Sequence, residues 1–425
     1  MHSIDRRHFL GSSLSGLTAL SLGSSLFAQD SSRSKQAGSG RRDFDLDSLF
    51  LTWQRDPTST MTIQWVAAEA AADRSIRYAP RSGEFWMVKT EKTITKPFPA
   101  TDLKVHRCEL TGLLPGTDYL FQVGDASPVY RFRTMPAKAT NTIQFVSGGD
   151  CGTGSHAIGT NKLAARQEPH FALIGGDLAY DNGRSPETFL KFLQNYSRHM
   201  VDPQGRLVPM ITCIGNHEVD GGYRRNREKA PHYLSLFDGF FSETTYGVLD
   251  IGDYLSLVLL DTAHLTPIEG EQTDWLASTL RDRQERRHLI VANHVPAYPS
   301  HRAFEGKGDS LGTGEANRIH WCPLFEKHKV DVVLEHHDHT FKRTHPLIDG
   351  RPDKNGVLYL GDGSWGKLRV PKEPEERSYL AAVSKAYHMA VHRLEGEQRY
   401  HVALEESGRV ADVCMTRSKR PSRRG

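Results

Sequence analysis

Residues 171–180 read FALIGGDLAY. A short apolar run closed by two glycines reads as a buried strand, and the polar residues behind it, Asp177 and Tyr180, then stand at the strand's C-terminal edge. The arrangement recurs along the chain. An apolar run at 142–147 leads to Gly149-Asp150-Cys151-Gly152, and one at 208–214 leads to Gly215-Asn216-His217-Glu218. Runs at 289–292 and 330–334 end at Asn293-His294 and at His336-His337-Asp338-His339. Further strands are expected at 255–260 and 357–360, with amphipathic helices at 157–167, 186–198, 273–283 and 316–327. Alternating strands and helices predict an α/β domain over 140–412 whose ligands collect beyond strand ends.

The preceding stretch follows a different period. Runs at 50–54, 60–67, 75–79, 105–113, 119–123 and 130–134 alternate apolar and polar residues between turn signals, which predicts an antiparallel sandwich over 46–136. Tyr119, just after the Pro115-Gly116 turn, resembles the tyrosine corner of fibronectin type III modules. The module reads as scaffold, since nothing in it carries chemistry.

The ends are separate segments. Arg6-Arg7 ahead of a short Gly/Ser/Leu stretch and a small residue at Ala28 resembles a twin-arginine export signal over 1–28. Residues 29–45 are polar and aperiodic, so they read as a linker. The tail at 413–425 is basic but has no aromatic residue to stack on bases, so it reads as a solvated end and no nucleic-acid partner is expected. The net charge of +3 comes from the ends, leaving the body at about −3. Five cysteines, odd in number and without CxxC spacing, argue against a disulfide framework or a cysteine zinc site. No other stretch is long and apolar enough for a membrane span. The mature chain is expected outside the cytoplasmic membrane, periplasmic or extracellular.

Taken singly, an Asp after a glycine is a turn residue and a lone His is a satisfied polar side chain. Five strand ends that together deliver carboxylates, imidazoles, an amide oxygen and a phenol toward one sheet edge are instead a donor set for hard and borderline metal ions.

The blocks GDCG, GDLAY, GNHE, ANH and HHDH resemble those of the metallophosphoesterases, and within them the two-domain purple acid phosphatases. The resemblance covers about residues 144–365, and the sandwich ahead of it extends the likeness. It implies two packed β-sheets flanked by helices. It also implies one metal held by Asp150, Asp177, Tyr180 and His339, and a second held by Asp177, Asn216, His294 and His337. Tyr180 is the specific element, implying iron(III) at the first position, with iron(II), zinc or manganese at the second. The implied activity is hydrolysis of small phosphate monoesters by attack of metal-activated hydroxide, with His217 or His301 protonating the leaving group and Glu218 orienting its neighbours. A phosphodiesterase or nucleotidase would use the same site, and a non-catalytic surface binding protein is the reading from another class. The chain departs from the family at His336, where a glycine is usual. A register slip of one would make His336 the ligand in place of His337. Cys151, beside Asp150, reads as a buried, inert thiol.

Overall fold

The computed structural model describes residues 46–420 apart from 69–74, 83–88, 126 and 309. The expected export signal and linker, at 1–28 and 29–45, lie outside the described residues.

The sandwich consists of β1 (Phe50–Thr52), β2 (Met61–Ala67), β3 (Ile76–Pro80), β4 (Lys89–Glu91), β5 (Ile94–Pro97), β6 (Lys104–Leu110), β7 (Asp118–Val123) and β8 (Tyr130–Arg133). Two four-stranded sheets result, in the orders β1-β2-β6-β5 and β4-β3-β7-β8. The sequence pattern anticipates six of these strands. It misses β4 and β5 because they are short, polar edge strands whose one large apolar residue, Ile94, is exposed. The hydroxyl of Tyr119 accepts the N–H of Leu114 at 2.8 Å, closing the expected tyrosine corner, and its ring stacks on Phe132 with centroids 5.2 Å apart.

The α/β region opens with β9 (Ile143–Gly148), α1 (Ser155–Ala165), β10 (Ala172–Ile174), α2 (Pro186–His199), β11 (Met210–Thr212) and α3 (Pro231–Phe237). It continues through β12 (Gly247–Ile251), β13 (Leu255–Leu260), α4 (Glu271–Asp282), β14 (His288–Asn293), α5 (Glu315–His320), α6 (Cys322–Lys327) and β15 (Val332–Glu335). Then follow β16 (Phe341–Thr344), β17 (Leu347–Ile348), β18 (Arg351–Pro352), β19 (Leu358–Asp362), β20 (Leu380–Ser384), β21 (His388–Glu395), β22 (Gln398–Glu405) and β23 (Val410–Arg417). One sheet has the order β11-β10-β9-β21-β22-β23 and the other β12-β13-β14-β15-β19-β16-β20. The parallel strands β9, β10 and β11 and the parallel set β13, β14, β15 and β19 point their C-terminal ends out of the two sheets. Those ends carry the polar blocks.

The single helix expected over 316–327 is two, because Pro323 near the start of α6 cannot donate the hydrogen bond a continuous helix requires. The tail expected at 413–425 as a solvated end instead begins inside β23, and the chain then folds back into the domain. Arg420 donates to the buried carboxylate of Asp331 at 2.7 Å, and Lys419 donates to the carbonyls of Val330 and Gly356 at 2.8 and 2.7 Å. Among the described residues, the tail's Arg417 and Arg420 are therefore ion-paired and Lys419 is used as a carbonyl clamp.

The sandwich holds the α/β region through the end of α3, whose last carbonyls have no partner within the helix. Gln64 Nε2 and Arg107 Nη2 donate to the Leu236 carbonyl at 3.0 and 2.9 Å, and Arg107 pairs with Asp238 at 2.6 Å. Phe50 packs on Phe237, and Phe98 packs on His232. His232 in turn hydrogen-bonds to buried Asp181, the residue after Tyr180, at 2.6 Å.

The role assigned to the tail has a measurable consequence. Removing one partner of a buried ion pair costs about 3 kcal/mol, whereas an exposed pair is worth well under 1 kcal/mol. Arg420→Ala is therefore expected to lower the urea unfolding free energy by about 3 kcal/mol. Arg417→Ala, in an exposed pair with Glu397, should lower it by less than about 0.5 kcal/mol. Equal effects would show that the tail is a solvated end after all.

Candidate metal centre

Asp150 follows β9, Asp177 and Tyr180 follow β10, Asn216 follows β11, His294 follows β14, and His337 and His339 follow β15. Five of these seven residues have positive φ: 58° at Asp150, 52° at Asp177, 64° at Tyr180, 70° at His337 and 58° at His339. Such backbone costs a non-glycine residue on the order of 1–3 kcal/mol and persists only where the surroundings enforce it. Here it turns each chain sharply out of its sheet, so that the side chains face one another.

They meet as two overlapping groups, Asp150 with Asp177 and His339, and Asp177 with His294 and His337. In the first, the Tyr180 hydroxyl donates to Asp150 Oδ1 at 3.1 Å and lies 3.0 Å from His339 Nε2, itself 3.0 Å from Asp150 Oδ1. In the second, His294 Nε2 is 3.2 Å from Asn216 Oδ1, 3.0 Å from His337 Nδ1 and 3.3 Å from Asp177 Oδ2. The other nitrogen of His294 donates to the Gly175 carbonyl at 2.9 Å. In the neutral ring, Nε2 then presents a lone pair to the cluster. All seven residues expected as donors are thus brought together.

The donor set fits cations. Asp177 has no exposed surface, and its Oδ2 accepts no well-formed hydrogen bond. Burial works against its charge, yet His294, His217 and His337 around it hold its carboxyl well below the usual range. Burial, followed by the carboxylates of Asp150 and Asp177, pushes the Tyr180 phenol well above its ordinary value, so a phenolate there requires a positive charge beside it. Oxygen and imidazole donors in this number suit two ions of hard to borderline character. Cys151 is buried, and its thiol is pushed far up by burial and the nearby carboxylates. The thiol is thus buried, as its setting in the sequence suggested, and held in its protonated form.

The residues behind the donors fix them. Glu218 accepts the N–H groups of Asp177, Leu178 and Gly215 at 2.8, 2.7 and 2.8 Å, tying two strand exits together. Burial and the adjacent Asp177 push its carboxyl up to about 8. His336 settles the register at the last block. Its Nδ1 lies 2.9 Å from the Asn293 carbonyl, and its ring fills the space over Gly149 and Gly175. A Cβ on Gly175 would lie 1.9 Å from that ring. His336 therefore packs beneath the strands and His337 faces the donors. Positive φ falls at His337 and His339 and not at His336, so no glycine is needed at His336.

Two contributors escaped the sequence reading. Tyr223 brings its hydroxyl within 3.3 Å of His337 Nε2 and 3.5 Å of Asn216 Oδ1. His264 is buried, with its ring 4.9 Å from that of Tyr223 and 5.5 Å from that of His294. His264 stands just past β13, and its place after a strand end was a usable signal. Tyr223 lies in a long loop and gave none.

The two expected proton donors differ. His217 places its ring 4.2 Å from that of Tyr180. Its Nδ1 hydrogen-bonds to Asn182 Oδ1 and its Nε2 is 3.9 Å from Asp177 Oδ2. His301 donates its backbone N–H to Asp338 at 2.7 Å, and its Nδ1 is 2.7 Å from the Val370 carbonyl. Among the described residues it makes no hydrogen bond or ring contact with the seven donors.

Comparison with known proteins agrees with this geometry. Residues 46–134 match the family described as "Purple acid Phosphatase, N-terminal domain", and residues 149–341 match "Calcineurin-like phosphoesterase". The chain is 23% identical to purple acid phosphatase 21 of Arabidopsis thaliana, over 75% of this chain and 73% of that protein. It is 25% identical to acid phosphatase type 7 of Homo sapiens, over 73% and 76%. Among solved structures, the purple acid phosphatase PPD1 from yellow lupin superposes with a TM-score of 0.70 at 18% identity, covering 88% of this chain and 74% of that one.

The sharing of Asp177 and the supporting position of Glu218 are separable by mutation. Asp177→Asn is expected to remove metal and activity together. Glu218→Gln should retain metal and reduce activity about 10- to 100-fold, the range for a residue that orients ligands. Elemental analysis and turnover on the same samples check this, and equal mild effects would contradict it.

Proposed function

The chain belongs to the purple acid phosphatase-like metallophosphoesterases and is a phosphoric ester hydrolase, and from that premise we propose that it hydrolyses phosphate monoesters at a centre of two metal ions. The observation that carries this reading is Asp177, whose carboxylate is common to both donor groups and whose Oδ2 is buried without a hydrogen bond. Asp150, Tyr180 and His339 would complete one position, and Asn216, His294 and His337 the other. The Tyr180 hydroxyl, set between Asp150 and His339, favours iron(III) at the first position, with iron(II), zinc or manganese at the second. Ions bound there would supply Lewis-acid stabilisation of the phosphate oxygens and lower the pKa of water.

The chain's own residues supply the rest. Glu218 holds the two strand exits that carry Asp177 and Asn216. Tyr223 supports His337 at Nε2, which leaves Nδ1 facing inward. Asn182 holds His217 at Nδ1 and leaves its Nε2 toward Asp177, so a proton carried there is available to the leaving oxygen of an ester. A cavity lined by Tyr180, Asn182, Ser185, Asn216 and His217 opens beside the cluster and gives a small alcohol group its place.

Export by the twin-arginine route is part of the proposal and rests on Arg6-Arg7 and the leader over 1–28. Among the described residues, no helix is long and apolar enough to cross a membrane.

The reading is tested by colour and turnover. A phenolate on iron(III) absorbs visible light through charge transfer, so protein isolated with oxidised iron should be pink to purple and hydrolyse p-nitrophenyl phosphate, and Tyr180→Phe should bleach it. Oxidised iron present with no visible band would remove Tyr180 from the ligand set.

A further inference from the structure

Residues 365–369 form a strap across two loops of the site. The N–H groups of Trp365 and Gly366 donate to the carbonyls of Gly149 and Asp150, both at 3.1 Å, and the N–H of Arg369 donates to the His339 carbonyl at 2.7 Å. The strap is therefore fixed to the chain on both sides of the first donor group, and it carries two cations, Lys367 and Arg369.

Lys367 is half-buried and places its Nζ 4.3 Å from the centre of the Tyr180 ring. Room for it comes from Gly152, where a Cβ would lie 3.0 Å from Lys367 Cε and 3.4 Å from Nζ. Among the described residues, neither Lys367 nor Arg369 has a carboxylate partner. Arg302, on a neighbouring loop, is by contrast already paired with Asp338 at 3.1 Å. The aromatic ring attracts the ammonium weakly and does not neutralise it. The Tyr180 hydroxyl, not its ring, reaches Asp150 and His339, so Lys367 stands one ring back from the donor atoms. That places it outside the set proposed to hold the scissile phosphate.

We propose that Lys367 is a specificity-determining residue that binds a second phosphate group of the substrate, adjacent to the one being cleaved. The preferred substrates are then compounds in which two phosphates are neighbours. This inference rests on the dinuclear phosphatase reading and extends it to a substrate class.

The test compares pyrophosphate with p-nitrophenyl phosphate at fixed pH and ionic strength, using the enzyme with its metals. Lys367→Gln should lower the ratio of kcat/KM for pyrophosphate to that for p-nitrophenyl phosphate about tenfold, the size of one charge-assisted hydrogen bond. The loss should fall mainly on KM for pyrophosphate, with metal content retained, and Lys367→Arg should recover most of it. An unchanged ratio overturns the inference. So does an equal loss on both substrates, a loss of metal from Lys367→Gln, or wild-type enzyme that cleaves p-nitrophenyl phosphate but not pyrophosphate. Wild-type enzyme that retains two metals and cleaves neither substrate overturns the phosphatase reading itself.

Discussion

Asp177 is a carboxylate with no exposed surface, set among three imidazoles and a second aspartate, with one oxygen accepting the His217 N–H at 2.8 Å and the other accepting no hydrogen bond. Burying a charge in that way is costly unless it is paired or coordinates a metal. The surrounding structure enforces it. Glu218 takes the N–H groups that frame Asp177, His337 donates its N–H to Asp150 Oδ2 at 2.8 Å, and left-handed backbone recurs at most of the donors. Strain at so many donor positions has a physical explanation if ligand binding selects the arrangement and the two sheets hold it.

Stability is organised around that requirement. The parallel strands deliver donors from both sheets, and the antiparallel strands β21 to β23 extend the first sheet behind them. Their inward faces carry polar residues joined in pairs: His392 lies 2.8 Å from His401 and 2.6 Å from Ser147, and Arg399 meets Asp331 at 3.1 Å. The sandwich reaches the site indirectly, from Phe98 through His232 to Asp181 beside Tyr180. The sandwich thereby supports the loop that carries the phenol.

Much of this was legible in the sequence, because apolar runs closed by glycine mark both a strand and its exit. That signal located the seven donors and all seven parallel strands. It failed for β21 and β22, where His388, His392, Arg399 and His401 are buried and an apolar/polar code reads the strands as surface. It failed for the tail as well, since charge alone does not reveal that Asp331 waits inside for Arg420. His336 and His337 were indistinguishable as letters. Only the close approach of Gly149 and Gly175 decides which of the two faces inward.

The central claim is that one carboxylate, Asp177, joins two ions. Anomalous diffraction from crystals of the protein with its metals tests this most directly. The account predicts two metal peaks, each within about 2.0–2.2 Å of an Asp177 oxygen, the usual range for metal–carboxylate bonds. A single peak, or two peaks of which one has no contact with Asp177, would contradict it.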